Sequence, residues 1–144
     1  MKHPDHPWVL HHAAPVYILA FPETFDDDEI AQMYDALAHW WPQVRQPVIT
    51  VVDYSVCRRA DAWARRSDAY GTYAQRVAPY ADKYLVASAV VVRDLLMQSA
   101  VRALFAASDR VRNADTLRFF QCREEAIAWA SFELQGHRYK QRAS

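Results

Sequence analysis

Glycine is nearly missing from this chain: Gly71 and Gly136 are the only two in 144 residues. Phosphate-cradling loops of both common kinds need at least two closely spaced glycines, so nucleotide binding through such a loop is excluded. The same scarcity disfavours an all-β fold built on tight turns. Cysteine is equally scarce, with Cys57 and Cys122 alone, which gives no secreted disulfide framework. No apolar run approaches the ~18 residues of a membrane span. Met1 to Pro7 carries histidines and prolines where the apolar core of a signal peptide would begin. Net charge is missing too, since 17 Lys and Arg balance 17 Asp and Glu, whereas nucleic-acid and membrane-surface proteins usually show a basic excess. A cytoplasmic protein with no nucleic-acid and no membrane partner is expected.

What is present is a chain that is 52% apolar and of one-domain length. A chain this size buries roughly 68–70% of its unfolded surface, so neither a disulfide nor a structural metal is needed for stability. Residues 1–7 read as a flexible arm, 8–134 as the domain, and 135–144 as a polar tail. Trp8–His12 and Val16–Phe21 read as two strands of an antiparallel hairpin turned at Ala13-Ala14-Pro15. The period then changes to helical. Asp26 and Glu29 are spaced as a capping box, with Phe25 and Ile30 placed for a hydrophobic staple. Ile30, Met33, Tyr34, Leu37, Trp40 and Trp41 follow as one apolar stripe, which Pro42 stops.

Val48–Val52 is β-branched with little alternation, the pattern of a strand covered on both faces. A helix is expected from about Ala60 to Ala78, packing through Trp63, Tyr70, Tyr73, Ala74 and Val77 and ended by Pro79. Tyr84–Val92 is the clearest buried strand. A helix is expected over Asp94–Ser108 with Leu96, Ala100, Leu104 and Phe105 inside. A strand at Thr116–Phe120 and a helix at Glu124–Leu134 with Ala126, Ile127 and Trp129 or Ala130 inside complete the chain. The order is β-β-α-β-α-β-α-β-α, an N-terminal hairpin followed by strict alternation. It implies an α/β domain with a mostly parallel sheet and right-handed crossovers.

Three features of this pattern resemble one family. The order and spacing of elements match over about residues 8–134. Val51-Val52-Asp53 closes a strand with an aspartate. The segment Phe119-Phe120-Gln121-Cys122-Arg123-Glu124-Glu125-Ala126-Ile127-Ala128-Trp129 is similar to a closing strand followed by Glu-Glu-Ala and Trp on the last helix. These are traits of the STAS, or SpoIIAA-like (anti-sigma-factor antagonist-like), superfamily, in particular its small standalone bacterial members. The resemblance implies a SpoIIAA-like fold and a signalling role through protein contacts. Family members that act as phospho-switches carry Ser or Thr just after an aspartate at the start of the helix that follows this strand. Here the stretch is Arg58-Arg59-Ala60-Asp61-Ala62, without a hydroxyl, and Ser55 lies in the loop before it. The switch is therefore not carried over.

Open parallel sheets hold ligands at the carboxyl ends of their strands. That end should gather Asp53, Ser55, Cys57, Arg58, Arg59, Arg93, Cys122 and Arg123. Arginines near helix N-termini oppose the helix dipole, while their forks together with free N–H groups suit a phosphate or carboxylate. Asp53, Arg58, Arg59, Arg93 and Arg123 are thus candidate anion-binding residues, set against the ordinary reading that Asp61, Asp94, Glu124 and Glu125 neutralise the arginines locally. Cys57 is a candidate nucleophile because Arg58, Arg59 and a helix start would lower its pKa, with His39 or His137 as a base brought from elsewhere. His3, His6, His11 and His12 cluster in sequence, but adjacent strand residues point to opposite faces and an arm supplies no second shell, so no metal site is expected.

The first expectation is a non-catalytic interaction module that takes no cofactor. Its partner would be another protein, a second copy of the chain included, met through Arg58, Arg59, Asp61, Arg65, Arg66 and Tyr70, because tyrosine and arginine favour interfaces. The alternative is a binder of a small anion at the arginine-rich end. An enzyme centred on Asp53 or Cys57 ranks third.

Overall fold

The structure is a computed structural model and describes residues 2–57, 67–106 and 117–143. Arg58, Arg59, Asp61, Arg65 and Arg66, together with Trp63, lie outside the described residues. The elements are β1 (Val9–Leu10), β2 (Val16–Ala20), α1 (Asp27–Trp40), a 3-10 turn (Trp41–Gln43), β3 (Val48–Asp53), α2 (Ser67–Tyr84), β4 (Leu85–Val91), α3 (Leu95–Ala106), β5 (Leu117–Phe120) and α4 (Arg123–Ala143). The strands form one five-stranded sheet in the order β1-β2-β3-β4-β5. β1 pairs antiparallel with β2, and every later pairing is parallel. The expected hairpin and mostly parallel α/β sheet are thus present.

The alternation of side chains along each strand divides the core into two layers. One sheet face presents Val16, Ile18, Ile49, Val51, Ala87, Ala89 and Val91 to Ala126, Ala130 and Leu134 of α4. The alanines on both sides let this helix lie close to the sheet. The other face carries α1, α2 and α3. There Ile30, Met33, Met97 and Val101 pack with Val90 and Val92, and Trp40, Trp41, Val77 and Ala81 pack with Tyr17 and Val48. Among the described residues, the helices between the parallel strands, α1 to α3, therefore lie over one face, and α4 lies over the other.

The start of α1 is as expected. Asp26 Oδ1 accepts from Glu29 N at 2.8 Å and Glu29 Oε1 accepts from Asp26 N at 3.2 Å, a complete capping box. Phe25 packs against the cluster that contains Ile30. At Pro42 the α-helix gives way to a single 3-10 turn.

Four expectations need correction. Pro79 does not end α2, which runs through it to Tyr84. The proline is exposed, so the carbonyl of Gln75 that loses its donor is solvated. Ala74, Val77 and Ala81, buried on either side of it, keep the stripe in register. The last helix does not stop near Leu134 but continues to Ala143, since no proline follows, and Arg138 and Lys140 suit a helix C-terminus. Leu96 is not inside α3: it is 74% exposed, and Met97 and Val101 face the core instead. The stretch expected as a loose arm makes specific contacts, with Pro4 buried, Lys2 O accepting from Trp40 Nε1 at 2.7 Å, and the His3 ring 5.2 Å from that of Tyr17.

Candidate functional site

Each of the parallel strands is laced to its neighbour one residue beyond its end. Phe21 N donates to Asp53 O, Tyr54 N to Val91 O, and Val92 N to Phe120 O, each at 2.9 Å. These bonds hold the carboxyl ends of β2 to β5 in one staggered row and place Pro22, Asp53 to Cys57, Arg93 and Arg123 around it. Tyr54 is fully buried against Phe21, ring centroids 4.6 Å apart, and burial pushes its hydroxyl well above the usual tyrosine range.

Asp53 is the one polar side chain in the described core, 3% exposed. Its Oδ1 accepts from Ser55 N at 2.8 Å, which closes the turn after β3. Its Oδ2 accepts from Arg123 Nε at 2.8 Å. A residue at the end of β3 is thereby tied to the first residue of α4, across the whole width of β4 and β5. The Arg123 side chain is 41% exposed, so its stem and Nε serve the lock while part of it faces water. This pair neutralises Arg123 with a carboxylate other than the Glu124 and Glu125 expected to do so, and Asp53 acts as an acceptor within the fold.

Cys57 is held as firmly. Its N donates to Tyr54 O at 3.0 Å, and its Sγ donates to Pro22 O at 3.2 Å. Burial, and then the neighbouring Asp53 carboxylate, push the thiol up to about 12. The expected depression of its pKa is therefore corrected in sign: burial and the Asp53 carboxylate both act against the thiolate. Neither histidine expected as its base lies at this end of the sheet. His39 lies at the far end of α1, which starts at the carboxyl edge of the sheet and ends at the amino edge; its Nδ1 lies 2.8 Å from Asp35 O. His137 lies on α4, about 20 Å along the axis from Arg123 at 1.5 Å per residue. Among the described residues no three His, Cys, Asp or Glu side chains are grouped to hold a metal ion.

Of the candidate anion-binding residues, Asp53 and Arg123 are brought together in one ion pair, and Arg93 is exposed just past β4; Arg58 and Arg59 are outside the described residues. Of the candidate partner surface, Tyr70 is described. It is half-buried between the rings of Tyr34 and Tyr73, both at 6.2 Å, and so belongs to the packing between α1 and α2.

A feature absent from the sequence reading dominates this end of the domain. Val56 is 51% exposed in the turn after β3, and Leu95 and Leu96 are 80% and 74% exposed at the start of α3, after β4. Asp94 Oδ1 accepts from Met97 N at 2.6 Å and so caps α3. With Met97 and Val101 inward, positions 95 and 96 fall off the buried stripe. The signal was legible, since three successive large apolar residues at a helix start cannot all face one side.

None of the described helices is long and apolar enough to cross a membrane. No protein-family model, no curated protein and no solved structure matches this chain.

Proposed function

We propose that this chain is a non-catalytic protein-interaction module of the SpoIIAA-like type, with a regulatory role. The observation that carries this reading is the apolar group Val56, Leu95 and Leu96, exposed on two adjacent connections at the carboxyl end of the sheet. Open parallel sheets use that end for recognition, and scattered single apolar residues would need no such explanation. Arg93, exposed beside the leucines, supplies a polar rim, as interfaces commonly have. The start of the second helix, with Arg58, Arg59, Asp61, Arg65 and Arg66, is proposed to extend the same surface. The two residues at this end best suited to chemistry, Asp53 and Cys57, are both committed to internal hydrogen bonds. The alternative of a small anion held by arginines is less favoured, since Arg123 already carries a carboxylate.

The test is an affinity capture from lysate with three baits: wild type, Leu95→Asp/Leu96→Asp, and Phe132→Asp. Phe132 is 70% exposed on α4, on the other face. A protein held by wild type and by the Phe132 variant, and lost by the double leucine variant, supports the reading. Equal retention by all three contradicts it.

A further inference from the structure

Beneath α1 and α2 the helix-covered face of the sheet is not filled to its surface. A cavity of about 310 Å³ lies there, inside the range typical of small-molecule sites, roughly 300–1,000 Å³. Its walls are aromatic and already fixed in place. Trp41 Nε1 donates to Tyr73 Oη at 3.0 Å, and the Tyr73 ring is stacked on that of Tyr34 at 4.9 Å with an 18° tilt.

The floor is unusual for the centre of a parallel sheet. Where flanking positions carry Val48, Val52 and Val90, the two central strands place Thr50 and Ser88 side by side, their hydroxyls 2.9 Å apart. Both line the cavity and both are partly accessible. Their mutual hydrogen bond uses one donor and one acceptor, and a hydroxyl pair has one more donor and three more acceptor positions to offer. A polar pair on an apolar sheet floor needs a partner more than a Val pair would.

The lining also limits the charge of an occupant. Asp82, at the rim, is the one acidic or basic side chain among the described lining residues. A ligand carboxylate would therefore lose its hydration with no cation among the described lining residues to meet it. Toward the amino ends of β4 and β5 the lining includes Asp82, which is exposed, and Leu85, Ser88 and Leu117, which are partly so.

We infer that this cavity binds a small, neutral, largely aromatic molecule bearing one hydroxyl or comparable hydrogen-bonding group, which the Thr50–Ser88 pair engages. Its size follows from scale. A cavity of ~150 Å³ takes benzene, so this one takes about twelve non-hydrogen atoms. The site is separate from the apolar group at the carboxyl end and stands whether or not that group docks a protein.

Calorimetric titration of the full chain at pH 7 with 4-propylphenol, propylbenzene and 4-propylbenzoate tests it. Saturable binding of the first two, with none of the benzoate, is expected. Thr50→Val keeps the shape and removes one hydroxyl; it should weaken the phenol about fivefold, the value of one hydrogen bond, and leave propylbenzene unchanged. Ser88→Leu fills the floor and should abolish both. Failure of both neutral compounds to bind wild type, benzoate binding as tightly as propylbenzene, or a phenol affinity unmoved by Thr50→Val would each overturn the inference.

Discussion

The pair between Asp53 and Arg123 joins residues 70 positions apart in sequence, and its energetics decide whether the acidic group at the sheet's carboxyl end is part of the scaffold. Removing one member of a fully buried pair costs about 3–5 kcal/mol, and an exposed pair contributes about 0–1 kcal/mol. Asp53 is 3% exposed and the Arg123 side chain 41%, which sets this pair between those limits. Arg123→Met keeps the stem but leaves the carboxylate with the Ser55 N–H, and should cost about 2 kcal/mol. For a chain near 150 residues this lowers Tm by roughly 4–8 °C. Asp53→Asn keeps the volume and an acceptor for Ser55 N, and should cost less. The double variant should then show a coupling of about 1–2 kcal/mol in urea unfolding. Additivity within about 0.5 kcal/mol would refute the lock and return Asp53 to the set of residues held for a ligand.

Further outcomes follow from the same structure. Cys57 should resist alkylation at pH 8 in the folded protein and react only in denaturant, as read by peptide mass spectrometry. Its thiol rises from 9.0 to about 12 on folding, so this contribution to stability is complete below pH 9 and is lost as pH rises from about 9 toward 12; a Cys57→Ser variant should show a shallower loss of stability over that window. Asp26→Ala removes the cap of α1 and should cost about 1 kcal/mol by chemical denaturation. Met33→Ala, at a position with no exposure, should cost about 2–5 kcal/mol, whereas Phe132→Ala should stay within about 0.5 kcal/mol of wild type. Leu95→Gln/Leu96→Gln should likewise leave the melting curve nearly unmoved, since neither side chain is in the core.

The parts legible in the sequence were those encoded locally. The capping box at Asp26 and Glu29, the stripe of α1, and the β-branched runs of β3 and β4 each carry their signal within a few residues, and their alternation was enough for a mostly parallel sheet. Features that depend on packing were not legible. Pro79 reads as a stop until it is seen that buried residues flank it and that its own side is wet. Cys57 reads as activated from its arginine neighbours, but the burial that governs its thiol comes from β2 and β3 folding over it. Arg123 reads as one of four gathered cations, and its partner Asp53 is identified only when α4 crosses the sheet. The cavity has no local signature, because it arises where α1 and α2 stand off the sheet. Its one trace in sequence is the pair of hydroxyl residues, Thr50 and Ser88, inside two runs of apolar ones.

The most direct measurement is site-specific photocrosslinking in the cells that make the protein, with a benzophenone side chain placed at position 95, at 96 or at 132. If the carboxyl end of the sheet is a docking face, irradiation should give a discrete heavier adduct from positions 95 and 96, identifiable by mass spectrometry, and none from 132. No adduct from 95 and 96, or the same adducts from all three positions, would contradict the assignment of this face.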